Sequence, residues 1–234
     1  CIHGVEKKPL PHMLAMTNMM LHDIDVPSNI RHDNTLSRPL KDYGPKDRVD
    51  IIITNPPFGG KLPVSDRETL AQFNLARVWK RTDDGRWRMT DELYGTRPPE
   101  ILFIERCWQL LKPGGRMAIV LPDGILGNPD LEYVRYWMMT HCRIIASIDL
   151  HPDTFQPNNG TQTSVLLLQK KTDAEIRKEE KQGQLDDYEI FMAQTLAIGH
   201  DKRGNTTYVR DEQGNERVEI KPETIRDPQA NSDT

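Results

Sequence analysis

The sequence predicts an α/β fold built on an open, mostly parallel sheet. Three observations carry that expectation. Apolar β-branched runs alternate with helical periodicities, the clearest run stops at Asn55-Pro56-Pro57-Phe58, and a helix-stop at Lys112-Pro113-Gly114-Gly115 leads at once into another apolar run. In chain order, Ile2 to Val5 reads as a short strand ending at Glu6. Pro9 to His22 reads as a helix, with Leu10, Met13, Leu14 and Met20 at helical spacing and both prolines in its first turn. Asn29 to His32 is a second short strand. Arg48 to Thr54 is the clearest one, and its unbroken Ile51-Ile52-Ile53 suits a parallel strand covered on both faces. From Pro56 to Pro99 the pattern breaks for about forty residues, a length typical of a lid or an insertion. Within it, Ser65 to Trp79 is expected as a helix capped by Ser65, with Leu70, Phe73, Leu75 and Val78 facing protein. Then follow a helix over Glu100 to Leu111, a strand over Arg116 to Leu121, a helix over Leu131 to His141, and strands over Arg143 to Leu150 and Gln162 to Gln169. Residues 1–171 thus form the core domain. Residues 172–234 form a charged extension, with Glu175 to Gln184 solvated and a β-hairpin over Thr206 to Ile220 that turns at Asp211 to Asn215.

Composition bounds the function. The 234 residues are 36% hydrophobic and 28% charged, enough for one sizeable core with long polar connections. A net charge of −4 gives no global basic field, so a nucleic acid would have to be held by a local patch or with another subunit's help. Three cysteines, Cys1, Cys107 and Cys142, show no paired spacing, which fits reduced thiols in a cytoplasm rather than a disulfide framework or a zinc site. Cys107 and Cys142 lie in apolar surroundings and read as inert buried thiols. His141, His151 and His200 show no ligand spacing, so no metal site is expected. No apolar run approaches the roughly 18 residues of a membrane span, and no signal peptide is visible, so the expected location is the cytoplasm without a membrane partner. The chain opens on Cys1 and directly on a strand end, so an amino-terminal part is expected to be missing.

Asn55-Pro56-Pro57-Phe58 carries the strongest chemical signal. The amino group of an adenine, a guanine or a glutamine amide is a poor nucleophile, because its lone pair is delocalised. Two acceptors aimed at its hydrogens, the Asn55 side-chain oxygen and the Pro56 carbonyl, favour a pyramidal nitrogen whose lone pair faces an electrophile. Pro56 and Pro57 hold those acceptors rigidly, and Phe58 can stack on an extruded ring. The plainer reading is a turn that punctuates a strand. Arg77, Lys80, Arg81, Arg86 and Arg88, interleaved with Trp79 and Trp87, read either as a basic and aromatic lid or, diluted by Asp83, Asp84, Asp91 and Glu92, as ordinary surface. Asp123 either borders the target pocket or makes a turn.

Three segments then resemble a known family. They are Ile51 to Gly59, Leu110 to Gly124 and the run Phe155-Gln156-Pro157-Asn158-Asn159-Gly160-Thr161-Gln162-Thr163-Ser164-Val165-Leu166. Together they are similar to the modification (methyltransferase) subunit of type I restriction-modification systems, N6-adenine DNA methyltransferases. The resemblance covers roughly residues 1–170 and implies a Rossmann-like fold dependent on S-adenosylmethionine, with the ligand outside the carboxyl ends of the strands. It implies methyl transfer to the N6 of a flipped adenine, with Asn55, Pro56, Pro57 and Phe58 at the target. It assigns Glu6 to the ribose hydroxyls of the cofactor and places Asp33, with Asn34 beside it, at the cofactor adenine. A surface glutamate and an Asx turn remain the plain alternatives for Glu6 and Asp33. It further implies DNA, a specificity subunit and a restriction subunit as partners.

The departures from the family are as informative. Its glycine-rich turn, which should precede Glu6 by about twenty residues, is absent, so cofactor binding by this chain is expected to be weak. The first strand is absent with it, and the sheet is expected to have a gap between Ile2 to Val5 and Arg48 to Thr54. Two alternatives therefore stand: an RNA guanine or protein glutamine N-methyltransferase, or a non-catalytic piece that docks to partners.

Overall fold

The strands divide among three sheets. The computed structural model describes residues 2–24, 29–58, 63–208 and 213. The first sheet pairs β1 (Gly4–Glu6) in parallel with β2 (Ile30–His32), bridged by helix α1 (Pro9–Leu21). The main sheet contains β3 (Val49–Thr54), β6 (Leu111–Pro122), β7 (Cys142–Asp149), β8 (Thr163–Lys170) and β9 (Phe191–Gln194) in the order β3-β6-β8-β7-β9. All but β8 share one direction, so the sheet is mostly parallel as expected. The third sheet is a small hairpin of β4 (Arg77–Arg81) and β5 (Trp87–Leu93).

Helices α3 (Pro99–Leu110), α4 (Asp123–Gly127) and α5 (Glu132–His141) cover one face of the main sheet. Met117, Ile119, Leu121, Leu166 and Leu168 point to that face and meet Ile101, Ile104, Val134 and Trp137 in the principal core. Cys107 and Cys142 lie buried, and burial pushes both thiols up to about 12, so they are inert. Lys170 reaches from β8 to the end of α3, donating to the carbonyls of Trp108 at 2.8 Å and Leu111 at 2.9 Å. The Trp108 carbonyl also accepts from the Leu111 amide, and the added cation favours the negative end of the helix. Beyond it, α6 (Asp173–Gln182) starts on a Thr172–Glu175 capping box and stops at Gly183 with φ +73°. The buried Lys171–Glu179 pair, 2.7 Å apart, fastens it.

Among the described residues, β1 and β2 share no ladder with β3, and β3 pairs with β6 alone. One expectation about β3 fails. Ile52 packs on the core, but Ile51 is 69% exposed and Ile53 83% exposed, because no described element lies over their face. The same face continues across the cross-strand row Ile53, Ala118, Leu167, Ala146 and Phe191.

Other boundaries shift for physical reasons. Ser65 caps nothing; Asp66 accepts from the Thr69 amide and starts α2 (Arg67–Leu70), which gives way to a 3-10 turn over Asn74–Ala76 and then β4. The segment expected as one helix is two short turns because Leu70, Phe73 and Ala76 fill a second small core with Leu36 and Leu102. Glu175 to Gln184, expected as solvated, is largely exposed apart from Glu179 and is helical as far as Gln182. The sheet also runs on past residue 171 through β9. The hairpin expected over Thr206 to Ile220 lies almost wholly outside the described residues.

Candidate functional site

Parallel strands bring their carboxyl ends to one edge of the sheet, and there the candidate residues gather. Asn55 follows β3 directly and is exposed, and its amide makes no hydrogen bond among the described residues. Pro56 is buried behind it, while Pro57 is exposed. This fixes the backbone beside a side chain that is free to bind. Phe58 meets Phe155 edge-on, with ring centroids 5.7 Å apart.

Phe155 comes from the connection between β7 and β8, residues 151–162. Because β8 is antiparallel to β7, that connection leaves and returns at the Asn55 end. Gln162 closes it, donating to the Asp149 carboxylate at 3.0 Å and to the Leu150 carbonyl at 2.6 Å. Asp123 lies at the end of β6 and accepts from the Ser164 hydroxyl at 2.8 Å, so its carboxylate is engaged in joining strands. Sequence reasoning assigns no role to Phe155. An aromatic in a long connection after a strand end was the available signal.

Glu6 and Asp33 end the two neighbouring parallel strands, and the Asp33 amide donates to the Glu6 carbonyl at 3.1 Å. The structure therefore places these two residues side by side at neighbouring strand ends. Glu6 accepts from the Lys8 amide at 2.7 Å. Asp33 accepts from the Asn34 amide at 2.7 Å, and Asn34 from the Leu36 amide at 3.1 Å, which is the Asx turn weighed above. Adjacent acids of this kind suit vicinal hydroxyls and an amine, the nucleoside part of S-adenosylmethionine. No described glycine-rich turn follows a strand here to present backbone amides to the methionine part, so the fit is to the nucleoside half.

The aromatic and basic residues of the hairpin have partners within the fold. Trp79 stacks on Tyr133 of α5 with centroids 6.1 Å apart, and Trp87 leans on the same ring, so both indoles are committed to the core. Arg81 pairs with Glu132, Arg77 holds the Asp91 carbonyl, and Arg86 holds the Gly183 carbonyl beside α6. These contacts fasten the hairpin to the start of α5 and to the turn after α6. The histidines are likewise occupied. His141 stacks on Trp137 at 4.3 Å, and burial lowers its pKa; His151 accepts from the Asp153 amide, and His200 contacts the Asp201 carbonyl. Among the described residues no cluster of metal-ligating side chains occurs. No described helix is long and apolar enough to cross a membrane.

Comparison with known proteins agrees with this geometry. The type I restriction enzyme EcoEI methylase subunit of Escherichia coli is 36% identical over 170 residues, covering 72% of this chain and 30% of that protein. The StySPI methylase subunit of Salmonella potsdam is 30% identical over 175 residues, covering 72% of this chain and 28% of that protein. The chain thus spans less than a third of the length of these relatives. Among solved structures, the M protein of type I restriction enzyme EcoKI superposes with a TM-score of 0.57 at 24% identity, over 88% of this chain and 38% of that one, and shows the shared fold. A chain of a type I R-M system superposes with a TM-score of 0.53 at 26% identity, over 72% of this chain and 30% of that one. The family described as N-6 DNA Methylase matches residues 1–214. Match, fold and the exposed Asn55 at its strand end converge: the chain belongs to the N-6 DNA methylase family.

Proposed function

We propose that this chain carries the target-binding half of an adenine-N6 DNA methyltransferase, the modification subunit of a type I restriction-modification system. The observation that supports this most is the free Asn55 amide on a proline-stiffened strand end, with Phe58 and Phe155 forming an aromatic corner beside it. An adenine turned out of the duplex enters that corner. Asn55 and the Pro56 carbonyl accept from its amino group, and Phe58 stacks on its ring. S-adenosylmethionine supplies the methyl electrophile, and Glu6, Asp33 and Asn34 hold its nucleoside part. No strong base is needed, since the methylated cation loses its proton readily. A specificity subunit supplies sequence choice, because the chain's net charge of −4 gives it no global basic field of its own. A restriction subunit completes the assembly, and the site of action is the cytoplasm, where the DNA is.

The test uses a DNA duplex carrying 2-aminopurine at the target position, together with tritiated S-adenosylmethionine offered with DNA, ribosomal RNA and a release factor. Extrusion raises the 2-aminopurine fluorescence, and Asn55→Ala or Phe58→Ala abolishes the rise. Unchanged fluorescence with the wild-type chain, or label entering only RNA or protein, would sink the DNA reading.

A further inference from the structure

The two halves of the proposed site stand on different sheets. Asp33 and Asn34 follow β2, Asn55 follows β3, and no ladder joins the two. Methyl transfer needs donor and acceptor aligned to about half an ångström, so their separation must be set by something else. Residues 34–43 lead away from β2; Leu36 packs on Leu102 of α3, and a buried polar side chain of the same helix binds the segment's backbone. Arg106 is 0% exposed. Its Nη2 donates to the Leu36 carbonyl at 3.1 Å, the Arg38 carbonyl at 3.2 Å and the Gln72 side-chain oxygen at 2.9 Å. That same Gln72 oxygen accepts from the Leu40 amide at 3.0 Å. The guanidinium lies 4.8 Å from the Phe73 ring centroid and 5.6 Å from that of Tyr43. Tyr43 in turn faces Arg38 at 4.5 Å and, on β2 itself, Arg31 at 5.9 Å. The chain from β2 to α3 is therefore continuous.

Arg106 forms no ion pair among the described residues, and the neighbouring Glu105 is spent on the Asn74 and Leu75 amides. Burying a cation without an acid is costly, and an apolar side chain would fill this core position more cheaply. Nη2 alone makes all three contacts, so one terminal nitrogen ties residues 36 and 38 to Gln72 while the guanidinium sits over the Phe73 and Tyr43 rings.

We propose that Arg106 is a positioning residue for cofactor binding, a latch that fixes the Asp33 turn at a set distance from Asn55 by clamping residues 36–40 onto α3. It rests on the reading of Glu6, Asp33 and Asn34 as cofactor contacts. Arg106→Gln, Arg106→Lys and the milder Gln72→Leu are made in the 234-residue chain. Amide hydrogen exchange and calorimetric titration with S-adenosylmethionine are then compared with the wild type. In Arg106→Gln, exchange over residues 30–43 accelerates about tenfold or more while residues 117–121 and 165–168 stay within about twofold, and the dissociation constant rises about tenfold. Arg106→Lys falls between, since an ammonium can keep the carbonyl bonds but not the ring contacts, and Gln72→Leu moves the same segment less. Equal acceleration in every strand would mean a merely structural role and overturn the proposal, as would local acceleration with an unaltered dissociation constant. Exchange needs no ligand. A wild-type chain that binds no cofactor therefore counts against the cofactor reading alone, and the latch is then decided by exchange: local acceleration supports it, and uniform or absent acceleration overturns it.

Discussion

Phe58 and Phe155 meet edge-on, which leaves a face of each ring available to a third ring inserted between them and Asn55. Base–aromatic stacking is worth about 1–3 kcal/mol, so Phe155→Ala is expected to weaken binding of DNA with an extruded target by about 5- to 150-fold. Titration with an abasic-partner duplex checks this, and an affinity equal to wild type would remove Phe155 from the site. A second residue-scale effect lies far from the target. Burial pushes the Glu105 carboxyl up from 4.5 to about 7, against the opposing pull of the Leu75 and Asn74 amides, Gln109 and Arg106. The folded chain therefore binds a proton that the unfolded chain releases. The associated stability is complete below about pH 4.5 and is lost as pH rises through about 7, on the order of 3 kcal/mol in all. Urea unfolding across that window should show the decline, and Glu105→Gln should flatten it.

Among the elements, the Gly114-Gly115 pair reads in the sequence as a helix-stop, and the structure gives each glycine a separate reason. Gly114 takes φ +78°, while a Cβ on Gly115 would lie 3.0 Å from the Asp50 carbonyl of β3 and 2.9 Å from that of Lys112. Gly115→Ala should accordingly push β6 from β3 and cost about 1–3 kcal/mol, readable as a lower urea midpoint at constant slope. Lys170→Met should cost about 1–2 kcal/mol by uncovering the end of α3. The sequence foretold nearly every core strand and helix to within a few residues, because Ile51 to Ile53, Met117 to Leu121 and Leu166 to Leu168 are too apolar to lie anywhere but in a sheet. It misled over Ser65 to Trp79, where helical spacing of Leu70 and Phe73 reflects two short turns over Leu36 and Leu102. Nor could it reveal that Trp79 and Trp87 serve Tyr133, since an aromatic among arginines looks the same whichever side it faces. Arg106 was hidden for the same reason, as one charge on an otherwise amphipathic helix.

At the scale of the molecule, β3 presents an edge that no described strand pairs with, and Ile51 and Ile53 lie beside it. Bare edges of this kind recruit other chains. The isolated chain is expected to self-associate with rising concentration, and Ile53→Lys to suppress this without lowering its melting temperature; sedimentation velocity of the two proteins checks it, and identical profiles would refute it. The opposite corner of the sheet is arranged differently. Since β8 runs against β7, residues 151–162 begin and end on the same rim, sealed at their base by Gln162. A parallel β8 would have required a crossover that threads back across the sheet. Here, lengthening or shortening the arch changes only what stands over Phe58, while the seven-residue register of β6 against β8, from Arg116 with Gln169 to Pro122 with Thr163, stays as it is. The arch is thus a part whose length can change while both of its ends stay on one rim.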